Sequence, residues 1–363
     1  FRKFSCFRTS LQTLIMTPFF VFLLSCLLLT TQDATVNSEE SITFLAFGDW
    51  GGQATFPYHT RAQVKTASGM GIIASQINSS FVVALGDNFY TTGVRSSTSI
   101  RFHSTFERVY NDASLMTPWY VIGGNHDHIG NISAQIEYTK NQPRGYHHRW
   151  VFPAPYHSHS FQSSSLGKIE DESFFSIDLI LIDTVDLCGM NTNGIDEGQV
   201  GYFDPLPVLP KDNSKTQWDW IERQLKASTA DYVLVGGHYP VYSVCSHGPT
   251  ETLIHHLRPL LQKYNAHYLS GHDHCMMHML EKGVNYILTG MGDMCCYGAN
   301  NLNNTLNPKG TLKWFISGEK KVLFQADGGF TSFQATKKEM IVKYHDQRGN
   351  IIYKADPIPP REG

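Results

Sequence analysis

Six times along the chain a short β-rich run stops abruptly at a glycine or a polar residue. Residues 42–47 lead into Gly48-Asp49-Trp50-Gly51, residues 81–85 into Gly86-Asp87-Asn88-Phe89-Tyr90, and residues 119–122 into Gly123-Gly124-Asn125-His126. Further on, residues 174–182 lead to Asp183, residues 232–235 to Gly236-Gly237-His238, and residues 267–269 to Ser270-Gly271-His272-Asp273-His274. Continuous apolar runs of this length read as central strands buried on both faces. Helical patterns lie between several of them. Trp218, Ile221 and Leu225 share one face after Ser214, a candidate N-cap, and Leu253, Leu257, Leu260 and Tyr264 share another despite Pro259. This alternation predicts an α/β sandwich. The runs 286–289, 339–344 and 351–354 read as further strands without intervening helices, and 191–210 and 290–310 as loops. No charge run, repeat or long linker interrupts 41–353. One domain is therefore expected over 41–355, followed by a tail at 356–363.

The formal charge of −3, from 29 basic and 32 acidic residues in 363, excludes an electrostatically driven nucleic-acid binder and a charged disordered tail. Seventeen histidines matter more, because imidazole is the commonest metal ligand. At the N-terminus, Arg2, Lys3 and Arg8 precede an apolar run over 11–29, broken by Thr13, Thr17, Pro18 and Ser25. The pattern suits a signal-peptide core better than a membrane span, and a leader over 1–33 is expected. Met16 stands just before the apolar core, which makes 1–15 a candidate upstream artefact. A secretory route, to the exterior or the lysosome, follows. It agrees with the sequons at Asn78, Asn131 and Asn303, each a candidate glycosylation site. Beyond the leader remain Cys188, Cys245, Cys275, Cys295 and Cys296, an odd number with no C-x-x-C pair.

Five strand ends deliver Asp49, Asp87, Asn125, His238 and His272 to one edge of the predicted sheet, with Tyr90 and His274 in the same loops. Open α/β sheets bind ligands beyond the carboxyl ends of their strands. Two carboxylates, a phenol, an amide and three imidazoles have little use as core packing, since each would need desolvation and pairing. They suit two adjacent metal ions.

The blocks Gly48-Asp49-Trp50-Gly51, Gly86-Asp87-Asn88-Phe89-Tyr90, Gly124-Asn125-His126-Asp127, Gly237-His238-Tyr239-Pro240 and Gly271-His272-Asp273-His274 occur in order. Together they resemble the purple acid phosphatases within the calcineurin-like metallophosphoesterases. Through His247-Gly248-Pro249-Thr250 the chain is most similar to the small tartrate-resistant animal type. The resemblance implies a four-layer α/β/β/α sandwich of two mixed sheets flanked by helices. It implies that Asp49, Tyr90 and His274 bind iron(III), that Asn125, His238 and His272 bind a divalent ion, and that Asp87 bridges both. Hard anionic oxygens suit the trivalent ion, and iron(II), zinc or manganese fits the second place. His126 and His247 are implied to face substrate, stabilising phosphoryl oxygens and protonating the leaving group. An imidazolium does this best below its ordinary pKa of ~6.5, so an acidic optimum is expected.

The implied reaction is hydrolysis of phosphate monoesters, or anhydrides, by direct attack of a metal-bound hydroxide. Small phosphate esters or phosphoproteins are the expected substrates, and a monomer is the expected state. A phosphodiesterase of the same superfamily and an iron-carrying glycoprotein are the alternatives. In the tartrate-resistant type the counterpart of Cys188 pairs with a cysteine that would fall at Thr252, so Cys188–Cys245 is the expected replacement bridge. The 191–210 loop matches a segment that covers the site in the animal enzymes, which makes it a candidate regulatory element. Asp127 and His128 are expected to orient the Asn125 loop, and Asp183 to be structural. Asn88 is left between a substrate contact and a turn cap.

Overall fold

The computed structural model describes residues 40–143, 145, 147–163, 174–190, 214–318 and 327–362. The leader predicted over 1–33 and the loop predicted over 191–210 lie outside the described residues. Glu39–Gly363 forms one compact unit.

Two seven-stranded mixed sheets organise this unit. In the first, β1 (Ile42–Phe47), β2 (Phe81–Ala84), β3 (Trp119–Val121) and β4 (Trp150–Val151) run parallel. The second contains β5 (His157–Gln162), β6 (Ser176–Leu181), β7 (Tyr232–Gly236), β8 (His267–Ser270), β9 (Met276–Glu281), β10 (Val284–Thr289) and β11 (Leu312–Ile316), in the order β11-β9-β10-β8-β7-β6-β5. The chain then returns to the first sheet with β12 (Gly329–Ala335), β13 (Met340–Asp346) and β14 (Ile351–Lys354), which extend it antiparallel from β1. The strands without intervening helices expected near the C-terminus are β13 and β14, and β10 covers the run before them.

Side-chain alternation explains why the sheets stack. Phe44, Ala46, Phe81 and Val83 of the first sheet meet Ile177, Leu179, Leu181, Tyr232 and Leu234 of the second in one buried cluster. The intervening residues Leu45, Phe47, Val82 and Ala84 point the other way. There they pack under helix α1 (Arg61–Ile77), whose Thr60 cap accepts the Gln63 N–H at 3.0 Å. The second sheet repeats the arrangement, with Val233 and Val235 packed with Ile221 and Leu257. Four short or medium helices complete the set before the last: α2 (Asn125–Ile129), α3 (Ile132–Asn141), α4 (Thr184–Cys188) and α5 (Lys215–Ala227). Helix α6 (Glu251–Lys263) runs through Pro259. The result is the expected α/β/β/α order, with every central strand covered on both faces. Among the described residues no helix is long and apolar enough to cross a membrane.

Candidate metal centre

Each candidate ligand sits two to six residues past the end of a strand, where the chain must leave the sheet without blocking the space above it. Asp49, Asp87 and His272 adopt the left-handed backbone region, with φ of 59°, 52° and 72°. Such strain costs about 1–3 kcal/mol per residue and is concentrated at functional sites. The preceding glycines allow close approach of the two sheets. A Cβ on Gly271 would lie 2.5 Å from Asp49 Oδ2, and one on Gly48 would lie 3.0 Å from the Gly271 Cα. Any side chain there would push the sheets apart at the point where they share the site.

The structure brings all seven predicted ligands together at one end of the sandwich. Tyr90 Oη lies 2.8 Å from His274 Nε2 and 3.2 Å from Asp49 Oδ1, and those last two atoms are 3.6 Å apart. Adjacent donors around an ion with bonds of about 2.1 Å are separated by about 3 Å, so this triad fits a cation. The second group is as tight: His238 Nε2 lies 2.7 Å from Asn125 Oδ1 and 3.4 Å from Asp87 Oδ1. Asp49, Asp87 and His238 each offer a donor within 4.8 Å of the others, so Asp87 stands between the two groups. Helix α2 begins at Asn125, and its His126 N–H donates to Asp87 Oδ1 at 3.0 Å. The oxygen donors all hang from the first sheet and the imidazoles all from the second.

The electrostatics of the donor set suit a bound cation. Burial, reinforced by the Asp87 carboxylate, raises Asp49 well above the carboxylate range. Burial and the neighbouring Asp49 raise Tyr90 likewise. Burial would raise Asp87 too, but the imidazoles of His238, His126 and His272 outweigh it and hold it low. Burial pushes His274 down to about 3, which keeps its ring a neutral donor. A bound cation would let the phenol and Asp49 ionise together.

Around the donors lies a cavity of about 610 Å³, lined by Gln53, Ala54, Asn125, His126, His247, Met294 and Tyr297 among others. His126 Nδ1 sits 2.5 Å from the Thr91 carbonyl oxygen. A carbonyl only accepts, so Nδ1 carries the hydrogen, while Nε2 lies 4.0 Å from Asp87 Oδ2. The His247 ring lies tilted 4.1 Å from the His272 ring and edge-on 5.4 Å from Tyr297, centroid to centroid.

Buried carboxylates position these loops. Asp127 Oδ2 accepts the Gly124 N–H at 2.8 Å and the Asn88 N–H at 3.0 Å, while its Oδ1 accepts from Gln135 Nε2 at 2.8 Å. Asn88 is thereby resolved as structural: its amide donates to the Ile122 carbonyl at 2.8 Å and to Gln135 at 3.0 Å. Asp183 is structural as well, capping α4 through the Val185 and Asp186 N–H groups and pairing with His128 at 3.0 Å. Asp273 grips the His247 loop, accepting the His247 N–H at 2.9 Å and the Ser243 hydroxyl at 2.5 Å. That grip decides the disulfide. Cys245 is carried to Cys275, next to His274, and the two sulfurs bond at 2.06 Å. The expected Cys188–Cys245 bridge is thus corrected: Cys188 is a buried free thiol among the apolar residues of the second sheet's outer layer. Cys295 and Cys296 form a vicinal disulfide. The sequon residues Asn78, Asn131 and Asn303 are all exposed.

Asp293, Met294 and Tyr297 escaped the sequence reading, which placed them in a loop. A signal was present, since Gly290-Met291-Gly292-Asp293 follows β10 as Gly48-Asp49 follows β1, and β10 lies parallel beside β8. The Asp293 N–H donates to the Asp49 carbonyl at 2.9 Å.

A two-sheet sandwich with carboxylates, a phenol and imidazoles converging beyond its strand ends defines a metallophosphoesterase. The family model for calcineurin-like phosphoesterases matches residues 42–276. Tartrate-resistant acid phosphatase type 5 of Oryctolagus cuniculus is 38% identical over 323 residues, covering 88% of this chain and 91% of that protein. Purple acid phosphatase 4 of Arabidopsis thaliana is 29% identical over 355 residues, covering 95% and 93%. Among solved structures, GAP50, the anchor in the inner membrane complex of Plasmodium, shares the fold with a TM-score of 0.69 at 21% identity, covering 89% of this chain and 90% of that one. The chain belongs to the calcineurin-like phosphoesterases and, within them, to the purple acid phosphatases of the tartrate-resistant type.

Proposed function

We propose that this chain is a secreted or lysosomal acid phosphatase that hydrolyses phosphate monoesters at an iron(III)–divalent metal centre and acts as a monomer. The observation that carries the reading is the pair of donor groups meeting at Asp87, with His126 and His247 beside them on one cavity. Asp49, Tyr90 and His274 would hold iron(III), while Asn125, His238 and His272 would hold iron(II), zinc or manganese. When bound, the two cations supply charge neutralisation to the phosphate oxygens and an acidified water as nucleophile.

The remaining work falls to the chain's own side chains. Asp87 holds the two donor groups at a fixed separation, and the His126 N–H fixes the orientation of Asp87. His126, oriented by its Nδ1 hydrogen bond to the Thr91 carbonyl and lining the cavity, would serve the leaving-group oxygen as a proton donor. His247, whose backbone N–H is held by Asp273, also lines the cavity and would donate to a phosphoryl oxygen. The glycines behind Asp49 and His272 let the two sheets approach closely enough to share the donors.

The test is the visible absorption spectrum of the purified protein, before and after mild reduction, alongside Tyr90→Phe. A charge-transfer band in the wild type that vanishes in Y90F supports phenolate bound to iron(III). A shift of that band on reduction identifies iron as the second metal, and no shift points to zinc or manganese. A colourless, metal-replete wild type would sink the assignment.

A further inference from the structure

The stretch 298–307 holds five asparagines in ten residues, and its amides turn on one neighbour, the loop between β7 and α6 that carries His247. Four consecutive carbonyls of that loop are bonded from it. Asn307 Nδ2 donates to the Ser243 carbonyl at 2.8 Å, and the Asn301 N–H donates to the Val244 carbonyl at 3.0 Å. Asn301 Nδ2 donates to the Cys245 carbonyl at 2.7 Å and to the Ser246 carbonyl at 3.1 Å. Carbonyls only accept, so the Asn301 amide has one workable orientation, and its Oδ1 accepts from Asn304 Nδ2 at 2.9 Å. Asn307 Nδ2 closes the turn by donating also to the Asn301 carbonyl at 3.1 Å.

The turn around His247 is shaped to receive this amide. Gly248 has a φ of 79°, and a Cβ there would lie 2.7 Å from the Asn301 Cγ and 2.8 Å from its Nδ2. Only glycine lets Asn301 come so close. Asp273 accepts the His247 N–H, so Asn301 and Asp273 grip different atoms of the same turn. The asparagine stretch is itself tied to the metal donors, because the Tyr297 N–H at its head donates to the His274 carbonyl at 2.9 Å. His247 follows β7 and His274 follows β8, and this stretch fastens one loop to the other.

Resting on the phosphatase reading above, we propose that Asn301 is a positioning residue for His247. It is not among the residues lining the cavity, and it acts through the backbone of the His247 loop. By holding the two carbonyls just before His247, it fixes where that imidazole stands relative to the donors. A reacting or stabilising group misplaced by about 1 Å loses up to about 100-fold in rate, so a clamp on its backbone is worth measuring in turnover.

The test is a double-mutant cycle on the metal-loaded enzyme with Asn301→Leu and His247→Ala. Leucine keeps the volume of asparagine and removes its donors. With His247 present, Asn301→Leu is expected to lower kcat/KM for phenyl phosphate about tenfold, with metal content unchanged. In the His247→Ala background the same change is expected to cost less than about twofold, because the group it positions is gone. A fall of equal size in both backgrounds, or no fall with His247 present, would overturn the proposal. Loss of metal would overturn it too, by placing the effect on the donors. Asn303→Gln, an exposed change in the same stretch, is expected to keep wild-type kcat/KM, and an equal fall there would count against Asn301. Asn301→Ser keeps one short donor and admits water, and it carries the same cycle if the leucine variant does not fold. Hydrogen exchange over 243–248 reads the grip without activity: it is expected to quicken about tenfold in Asn301→Leu, and unchanged exchange would sink the idea. Failure of the phosphatase reading looks different: the wild type hydrolyses no monoester, while the exchange still quickens.

Discussion

The Asp127 network makes a demanding prediction because its hydrogen bonds have only one workable direction. Two backbone N–H groups and the Gln135 amide all donate to Asp127, and Asn88 donates onward to Gln135 and to the Ile122 carbonyl. In Asp127→Asn the new oxygen can still face both backbone N–H groups, but the new NH₂ then faces the Gln135 NH₂. Flipping Gln135 only moves the clash to Asn88, which cannot flip because the Ile122 carbonyl accepts and never donates. Asp127 and Gln135 are both 0% exposed, so water cannot relieve the mismatch. One buried mispaired donor costs about 1–3 kcal/mol. Gln135→Glu alone should cost more, about 3–5 kcal/mol, by setting two buried carboxylates against each other. The double variant D127N/Q135E restores every donor–acceptor pair at unchanged heavy-atom positions. It should therefore unfold within about 1 kcal/mol of the wild type, whereas additive singles would exceed about 4 kcal/mol. Urea unfolding followed by circular dichroism measures all four proteins. A double variant as unstable as the sum of its parts, or an Asp127→Asn protein indistinguishable from wild type, would refute this reasoning.

Breaking the Cys245–Cys275 bond with Cys245→Ser should cost about 3–4 kcal/mol, from a sequence separation of 30, while Cys188→Ser should leave the bond intact. Peptide mapping under non-reducing conditions reads the pairing directly, and a Cys188-containing bridge would contradict it. Burial, with a smaller push from His278, takes His267 down to about 4 from 6.5. The unfolded chain thus binds a proton that the folded chain refuses between those values. The stability is fully present above about pH 6.5 and falls towards pH 4, by ~1.4 kcal/mol per pH unit for this one proton. In His267→Gln the drop between pH 6.5 and 4.5 should be about 2 kcal/mol smaller than in the wild type, and an unchanged drop would count against the assignment. A Cβ on Gly124 would overlap Asp87 Oδ1, so Gly124→Ala should bind the second metal at least tenfold more weakly by equilibrium dialysis. Unaltered affinity would show that the loop yields.

The ligand positions were legible because each combines two independent signals: an apolar strand long enough to be central, and a glycine followed by a side chain unsuited to the core. Tyr90 could be read from its spacing after Asp87, since the turn is too short to carry it elsewhere. Asp293 carried the same strand-end signature after β10, but it was submerged in a run of glycine and asparagine that reads as loop. The disulfide was beyond reach for a different reason. It depends on Asp273 drawing the His247 loop across to Cys275, a contact between segments whose approach no local pattern encodes. Asn88 was ambiguous because its partners, Ile122 and Gln135, lie 34 and 47 residues away.

The division of donors between the sheets has a consequence for how the protein comes into being. Asn125, the last oxygen donor, and His238, the first imidazole donor, are 113 residues apart yet 2.7 Å from contact to contact. A growing chain that has made only β1 to β4 would own carboxylates, a phenol and an amide but none of the imidazoles that complete either place. Metal capture would thus be a late event in biosynthesis, reporting that both halves are finished and correctly stacked. By the same arithmetic a product cut short before His238 would lack every imidazole donor and could fill neither place.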